Sequence, residues 1–235
     1  MPVITISGAP GSGARELVHL VAQRLGIDYV DQQILLDAAR RLGVPVEQVA
    51  AVDERVQGLR ERLAHLLRSF LERSALLGTD PIAGGGGLEM LFSRSYDELT
   101  REEEEGQEGV DPALYVNVLS GVVRELAQRG DVVILGRGSH MILKDFPAAL
   151  HVLTLAPEPV RLQRYALREG VSAEEAARQV QAVERARILF YKRFWKVDPN
   201  DPNYYDLTIV TSRLPLDLAA ELISIAAKAK EEQPA

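Results

Sequence analysis

The chemistry most legible in this chain is the capture of phosphate. Ser7, Gly8, Ala9, Pro10, Gly11, Ser12, Gly13, Ala14 and Arg15 make a glycine-rich stretch between an apolar, β-branched run and an amphipathic segment. A strand, a tight turn and a helix N-terminus in that order aim unpaired N–H groups and the positive end of a helix dipole at one point. Glycines let the backbone curl, and let an anion approach without meeting a Cβ. The phosphate-loop pattern G-x-x-x-x-G-K-[ST] is met at Gly8 and Gly13. It is broken at the next two positions, where Ala14 replaces the lysine and Arg15 the hydroxyl residue. Arg15 offers the lost charge one position later, and Ser12 or Ser7 a hydroxyl. The alternative is a glycine-rich turn that holds nothing.

Arginines make up the second group. Arg137 stands between Gly136 and Gly138 after an apolar run. A guanidinium there could fork a phosphate, or could be a surface group in a turn. Phosphate-loop enzymes often put an acid at such a strand end to hold magnesium; this chain has Gly136. Arg161, Arg164 and Arg168 recur at helical spacing, so they share a face. That face either gathers anions or is simply solvated. Farther on, Arg185, Arg187, Lys192 and Arg193 mix with Tyr191, Phe194 and Trp195, a blend that suits base stacking or plain packing. Asp31 falls where a strand gives way to a helix, as an N-cap, a substrate contact at the carboxyl end of a sheet, or both. Glu102–Glu105 reads as a solvated face or a disordered bulge, with a metal site the weaker alternative because consecutive carboxylates on a helix diverge.

The elements that must position these groups alternate. Strands are predicted over 3–7, 27–30, 131–135, 149–156 and 205–211. Helices are predicted over 14–25, from 32 onward, 46–78, 112–129, after Pro157, 173–195 and 218–228. A long apolar stripe from Val49 to Leu71 is either core or the face of a homodimer. Residues 78–109, with four glycines from Gly84 to Gly87, read as a mobile loop. The pattern predicts an α/β, P-loop NTPase-type three-layer fold with a five-stranded parallel sheet and a helical insertion. The division expected is one domain over 1–235, an insertion over 32–111 with a flexible Gly/Glu-rich loop, and a lid-like helical region over 157–203. The net charge of −7 argues against nucleic acid as a partner. With no cysteine, disulfides and thiolate metal sites are excluded. No signal-like N-terminus and no run of 18 apolar residues is found, so the expected location is cytoplasmic, without a membrane.

Six segments together resemble the cytidylate-kinase-like family of P-loop nucleoside monophosphate kinases. They are the loop run 6–16, Ile27-Asp-Tyr-Val-Asp31, Val-Ile-Leu-Gly-Arg-Gly at 133–138, Ala-Pro-Glu-Pro-Val-Arg-Leu-Gln-Arg at 156–164, Glu184-Arg-Ala-Arg187, and the stretch 205–214. The resemblance implies phosphoryl transfer from ATP, with Mg2+, to a small nucleotide, CMP or dCMP. It implies that Gly8 to Arg15 hold the donor phosphates and that Asp31 and Arg137 meet the acceptor. Arg161 and Arg164 match lid arginines. Arg187 closes an Asp-x-x-Arg element in which Glu184 replaces the aspartate. With Arg15 and Arg137 these make the expected catalytic set; the metal ligands are not indicated. Six residues beyond Asp31, where cytidylate kinases carry an acceptor-binding arginine, stands Asp37. The alternative is a nucleotide-binding sensor or interaction protein that keeps the fold with little or no turnover.

Overall fold

The computed structural model describes residues 1–41, 62–65, 67–69, 92–96, 98–99 and 112–232. Five strands form one parallel sheet: β1 (Val3–Gly8), β2 (Asp28–Val30), β3 (Val132–Leu135), β4 (Ala149–Leu155) and β5 (Leu207–Val210). Their order across the sheet is β2-β3-β1-β4-β5. The first strand is therefore central, with Val3 opposite both Val132 and Ala149. This is the five-stranded parallel α/β sheet predicted.

Helices cover both faces. They are α1 (Ala14–Leu25), α2 (Gln32–Arg41), α3 (Pro112–Arg129), α4 (Ser139–Ile142), α5 (Glu158–Glu169), α6 (Ala173–Trp195) and α7 (Leu216–Glu232). Alternate strand residues point to opposite faces, which splits the core in two. Ile4, Ile6, Val133, Val152 and Ile209 pack with α1 and α7. Val3, Val132, Ile134 and Ala149 pack with α2 and α3, joined by Phe190 and Tyr191 of α6. The β-branched residues suit a sheet buried on both sides.

Local signals set the helix ends. The Asp31 carboxylate accepts from Ile34 N at 2.9 Å, so the predicted N-cap is present. Ser172 Oγ accepts from Glu175 N, which starts α6 where the capping box placed it. The last helix runs longer than predicted, from Leu216 to Glu232, because Lys228-Ala-Lys-Glu-Glu232 is made of good helix formers. Tyr191 and Trp195 pack around Phe190 rather than offering a free stacking face. Leu63 and Leu67, from the apolar stripe, are buried in this chain's own core. The remainder of the 46–78 stripe, the Gly84–Gly87 run and the Glu102–Glu105 run lie outside the described residues.

Candidate active site

The carboxyl ends of β1 and β3 and the start of α1 surround a cavity of about 520 Å3. In an open parallel sheet, the crevice where neighbouring crossovers diverge to opposite faces is where ligands bind. One wall is the loop: Gly8, Ala9, Pro10, Gly11, Gly13, Ala14 and Arg15 line it. Across from it stand Asp31, Gln32, Ser95, Tyr96, Gly136 and Arg137, and Val183 and Arg187 of α6 also contribute.

The loop is braced from behind. Ser12 N donates to Ala9 O at 3.0 Å. Thr154 Oγ1 donates to Ser7 O at 3.2 Å, which leaves Ser12 Oγ as the donor in its 2.7 Å bond to Thr154 Oγ1. The Ser12 hydroxyl is thus turned into the sheet and does not replace the missing loop hydroxyl. Ser7 lines the cavity instead, its Oγ accepting from Arg187 at 3.3 Å. Thr211, after β5, donates to Ser12 O at 2.8 Å. A Cβ on Gly8 would lie 2.2 Å from both Ser12 Oγ and Thr154 Oγ1, so the turn closes only around glycine there.

Arg187 is 4% exposed. It donates to Asn200 Oδ1 at 2.8 Å and to Pro199 O at 3.0 Å. All its acceptors are neutral oxygens. Arg137 is 7% exposed and sits at φ +54°, in the left-handed region that costs a non-glycine residue energy. Tyr96 and Tyr115 hold it there. Its backbone N–H donates to Tyr96 Oη at 2.9 Å, and Nη1 donates to Arg94 O and to Tyr115 Oη at 3.0 and 3.1 Å. Burial pushes the Tyr115 hydroxyl pKa up, against the opposing pull of Arg137, so the phenol remains neutral and able to accept. Arg137 is no surface turn residue. Its guanidinium also rests 4.9 Å from the Tyr96 ring.

Arg15 reaches across the cavity mouth, one nitrogen 3.8 Å from the Asp31 carboxylate and its side chain 50% exposed. The two remaining expected arginines are elsewhere. Arg161 pairs with Glu184 at 2.9 Å, and Arg164 donates to Thr211 Oγ1 and O at 2.8 and 3.0 Å. They tie α5 to α6 and to the end of β5 and do not line the cavity. Arg168, from the same helix, does. Arg168 was one of the three arginines that shared a face by spacing, whereas Tyr96, Ser95 and Val183 are cavity residues that the sequence did not single out. A tyrosine within an otherwise Gly- and Glu-rich stretch was the available signal for Tyr96.

His140 also escaped notice. It is 1% exposed, stacks between Tyr191 and Tyr205, and neither ring nitrogen has a hydrogen-bond partner among the described residues. Burial, then the neighbouring His151 and Arg187, push its pKa down to about 3. The folded chain therefore keeps it neutral, whereas the unfolded chain protonates it below about pH 6.5. Its contribution is intact above that value and is lost as pH falls toward 3, at about 1.4 kcal/mol per unit. Urea unfolding at pH 6.5 and pH 5 should show about 2 kcal/mol more loss in the wild type than in His140→Phe. Equal losses would show that His140 takes up protons in the folded state.

Among the described residues no group of three or more His, Cys, Asp or Glu side chains could hold a metal. No described helix is long and apolar enough to cross a membrane. A model of the cytidylate kinase-like family matches residues 3–213. The chain belongs to that family. The cytidylate kinase of Pyrococcus horikoshii is 39% identical over 212 residues, 90% of this chain and 80% of that one. The cytidylate kinase of Methanopyrus kandleri is 39% identical over 99 residues, 38% of this chain and 51% of that one, so this second match spans about half the relative's length. A solved structure of a protein from Eubacterium ventriosum shares the fold, with a TM-score of 0.57 at 14% identity over 97% of this chain and 99% of that one. The cavity of this chain has Ala14 on its wall, 8% exposed, and arginines delivered from four separate segments.

Proposed function

We propose that this chain transfers a phosphoryl group from ATP to a nucleoside monophosphate, with CMP or dCMP as acceptor. One observation carries the reading: a single cavity has the glycine loop on one wall, Asp31 and Arg137 on the other, and between them a buried Arg187 whose partners are all neutral. Phosphoryl transfer needs alignment and charge neutralisation more than covalent chemistry, and cations fixed on separate rigid elements supply both. Gly8 to Arg15 cradle the donor phosphates with backbone N–H groups. Arg137 orients the acceptor phosphate, and its own bonds to Arg94 and Tyr115 keep it from swinging. Asp31, capped onto α2 and facing Arg15, holds the acceptor at the carboxyl end of β2. Helices α5 and α6 act as the lid.

The donor set is compatible with Mg2+. That ion takes one or two carboxylates together with substrate phosphates, and Asp31 and Glu16 are the cavity's described carboxylates. When bound it neutralises phosphate charge. A cytoplasmic homodimer acting on small nucleotides completes the proposal.

A second reading is favoured by Ala14, whose methyl lies at the wall where a lysine would reach the β- and γ-phosphates. In it the chain binds nucleotide but turns over little or not at all. A coupled ADP-release assay with ATP and Mg2+ against CMP, dCMP, UMP, AMP and GMP decides, run beside calorimetry of ATP. Turnover of CMP or dCMP is expected. ATP binding without turnover would favour the sensor, and no ATP binding would end both readings. Arg137→Ala is expected to raise the acceptor KM about 30-fold, the loss of one charge-assisted fork, while ATP affinity stays within about twofold. Equal weakening for both nucleotides would remove Arg137 from the acceptor side.

A further inference from the structure

Arg168 and Glu16 face each other across the cavity wall, and neither has a role in the proposal above beyond the carboxylate that Glu16 offers to Mg2+. The Arg168 Nη1 lies 3.9 Å from Glu16 Oε1, with the two side chains 31% and 39% exposed. Its Nε donates to the neighbouring Glu169 at 2.8 Å. We infer that Arg168 is a further phosphate-binding residue, and that Glu16 holds its place until the phosphate chain of ATP or ADP displaces it. This rests on the reading of the cavity as a nucleotide-phosphate site.

Three observations support it. Arg161 and Arg164 are committed to Glu184 and Thr211, so Arg168 is the α5 arginine on the cavity. The last turn of the helix that carries it is open to solvent: α5 has no buried residue, and Leu167, next to Arg168, is 78% exposed. Its first turn, in contrast, is pinned where the Arg161 carbonyl meets Gly11. The far end of α5 can therefore shift toward the loop while the near end stays fixed.

Electrostatics points the same way. An exposed ion pair at this separation is weak and screened by salt, whereas a guanidinium forking a phosphate makes two short, charge-assisted bonds. The anion therefore wins the exchange. Ala14 leaves the loop without its lysine, and Arg168 brings a cation to the same phosphates from α5, beside the start of α1. Glu16 competes for that cation before the nucleotide arrives and is repelled by the incoming phosphates, so it lowers affinity twice.

Calorimetry of ATP, ADP and adenosine with the full chain, in the absence of Mg2+, tests this. Arg168→Ala should raise the ATP dissociation constant about tenfold, with Arg168→Lys restoring part of the loss. Adenosine affinity should not move in either variant. Glu16→Gln should tighten ATP about threefold, and that gain should vanish in the Arg168→Ala background, since the two effects share one pair. Melting temperatures without nucleotide should match the wild type, which separates ligand binding from packing. Unchanged ATP affinity in Arg168→Ala, or the same Glu16→Gln gain in both backgrounds, would overturn the inference. If the wild-type chain binds no ATP, the reading of the cavity itself falls, and this falls with it.

Discussion

Arg187→Ala is expected to lower kcat/KM by about a thousandfold while changing folding stability by no more than about 1 kcal/mol. The two halves of that expectation have one origin. Arg187 is buried at 4% exposure, its guanidinium meets Asn200, Pro199 and Ser7, and no carboxylate lies within ion-pair distance among the described residues. A desolvated cation without an anion is costly to the protein alone. Removing it relieves that cost and at the same time leaves neutral oxygens unpaired, and the two effects oppose each other. With nucleotide present the balance changes, because the phosphates supply the missing anion. Wild-type protein at ATP about 100 times its dissociation constant gains about 2.7 kcal/mol, and the alanine variant should lose most of that gain. Urea unfolding with and without ATP, beside steady-state kinetics, measures all three quantities. A large stability loss with near-normal kcat/KM would make Arg187 a structural tie between α6 and the 199–200 turn.

Gly11→Ala should cost more than about 3 kcal/mol and abolish ATP binding. Gly11 sits at φ +77°, and an added Cβ would lie 2.2 Å from the Arg161 carbonyl oxygen and 2.8 Å from Arg161 C and Cα. Every one of those atoms is backbone, so no rotamer change can make room. Either α5 lifts off the loop or the loop opens. Gly170→Ala is the control. That residue also has positive φ, +66°, but nothing lies within 4 Å of the position its new methyl would take. It should cost about 1 kcal/mol, a fall of roughly 2–4 °C in Tm for a chain of this size, and leave ATP affinity alone. Matching losses in the two variants would mean that backbone conformation alone, not the meeting of helix and loop, sets the cost at Gly11.

How far the sequence could be read depended on the range of the interaction. Signals acting within a few residues were legible. Helix α1 has the predicted bounds because Gly13 and Gly26 flank it, and Asp31 and Ser172 cap the helices they precede. The apolar run before Gly136 made β3 visible as a buried strand. What packs on an amphipathic face was not legible. Arg161, Arg164 and Arg168 look equivalent by spacing, yet their fates depend on Glu184, Thr211 and Glu16, residues far away in the chain. The choice between Ser7 and Ser12 as the cavity hydroxyl was hidden likewise, because it turns on Thr154, which is brought in by a neighbouring strand. Arg137 was read from its two glycines as either a phosphate ligand or a surface turn residue, and from the family resemblance as an acceptor contact. That it would be buried, held by Tyr96 and Tyr115, required knowing which segments fold back over it.

The position of β1 in the middle of the sheet has a consequence for synthesis. Val3–Gly8 is synthesised well before both of its neighbours, which begin only at Val132 and Ala149. At about 5–20 residues per second, an apolar β-branched segment waits on the order of ten seconds with both of its edges unpaired. During that interval its unpaired edges make it adhesive. Helix α1 can form early, but its apolar face also waits for β3, β4 and the C-terminal α7. Nascent chains halted before residue 132 should therefore be sensitive to protease and bound by chaperones, and the nucleotide cavity should become competent only after Thr211 has emerged to brace the loop.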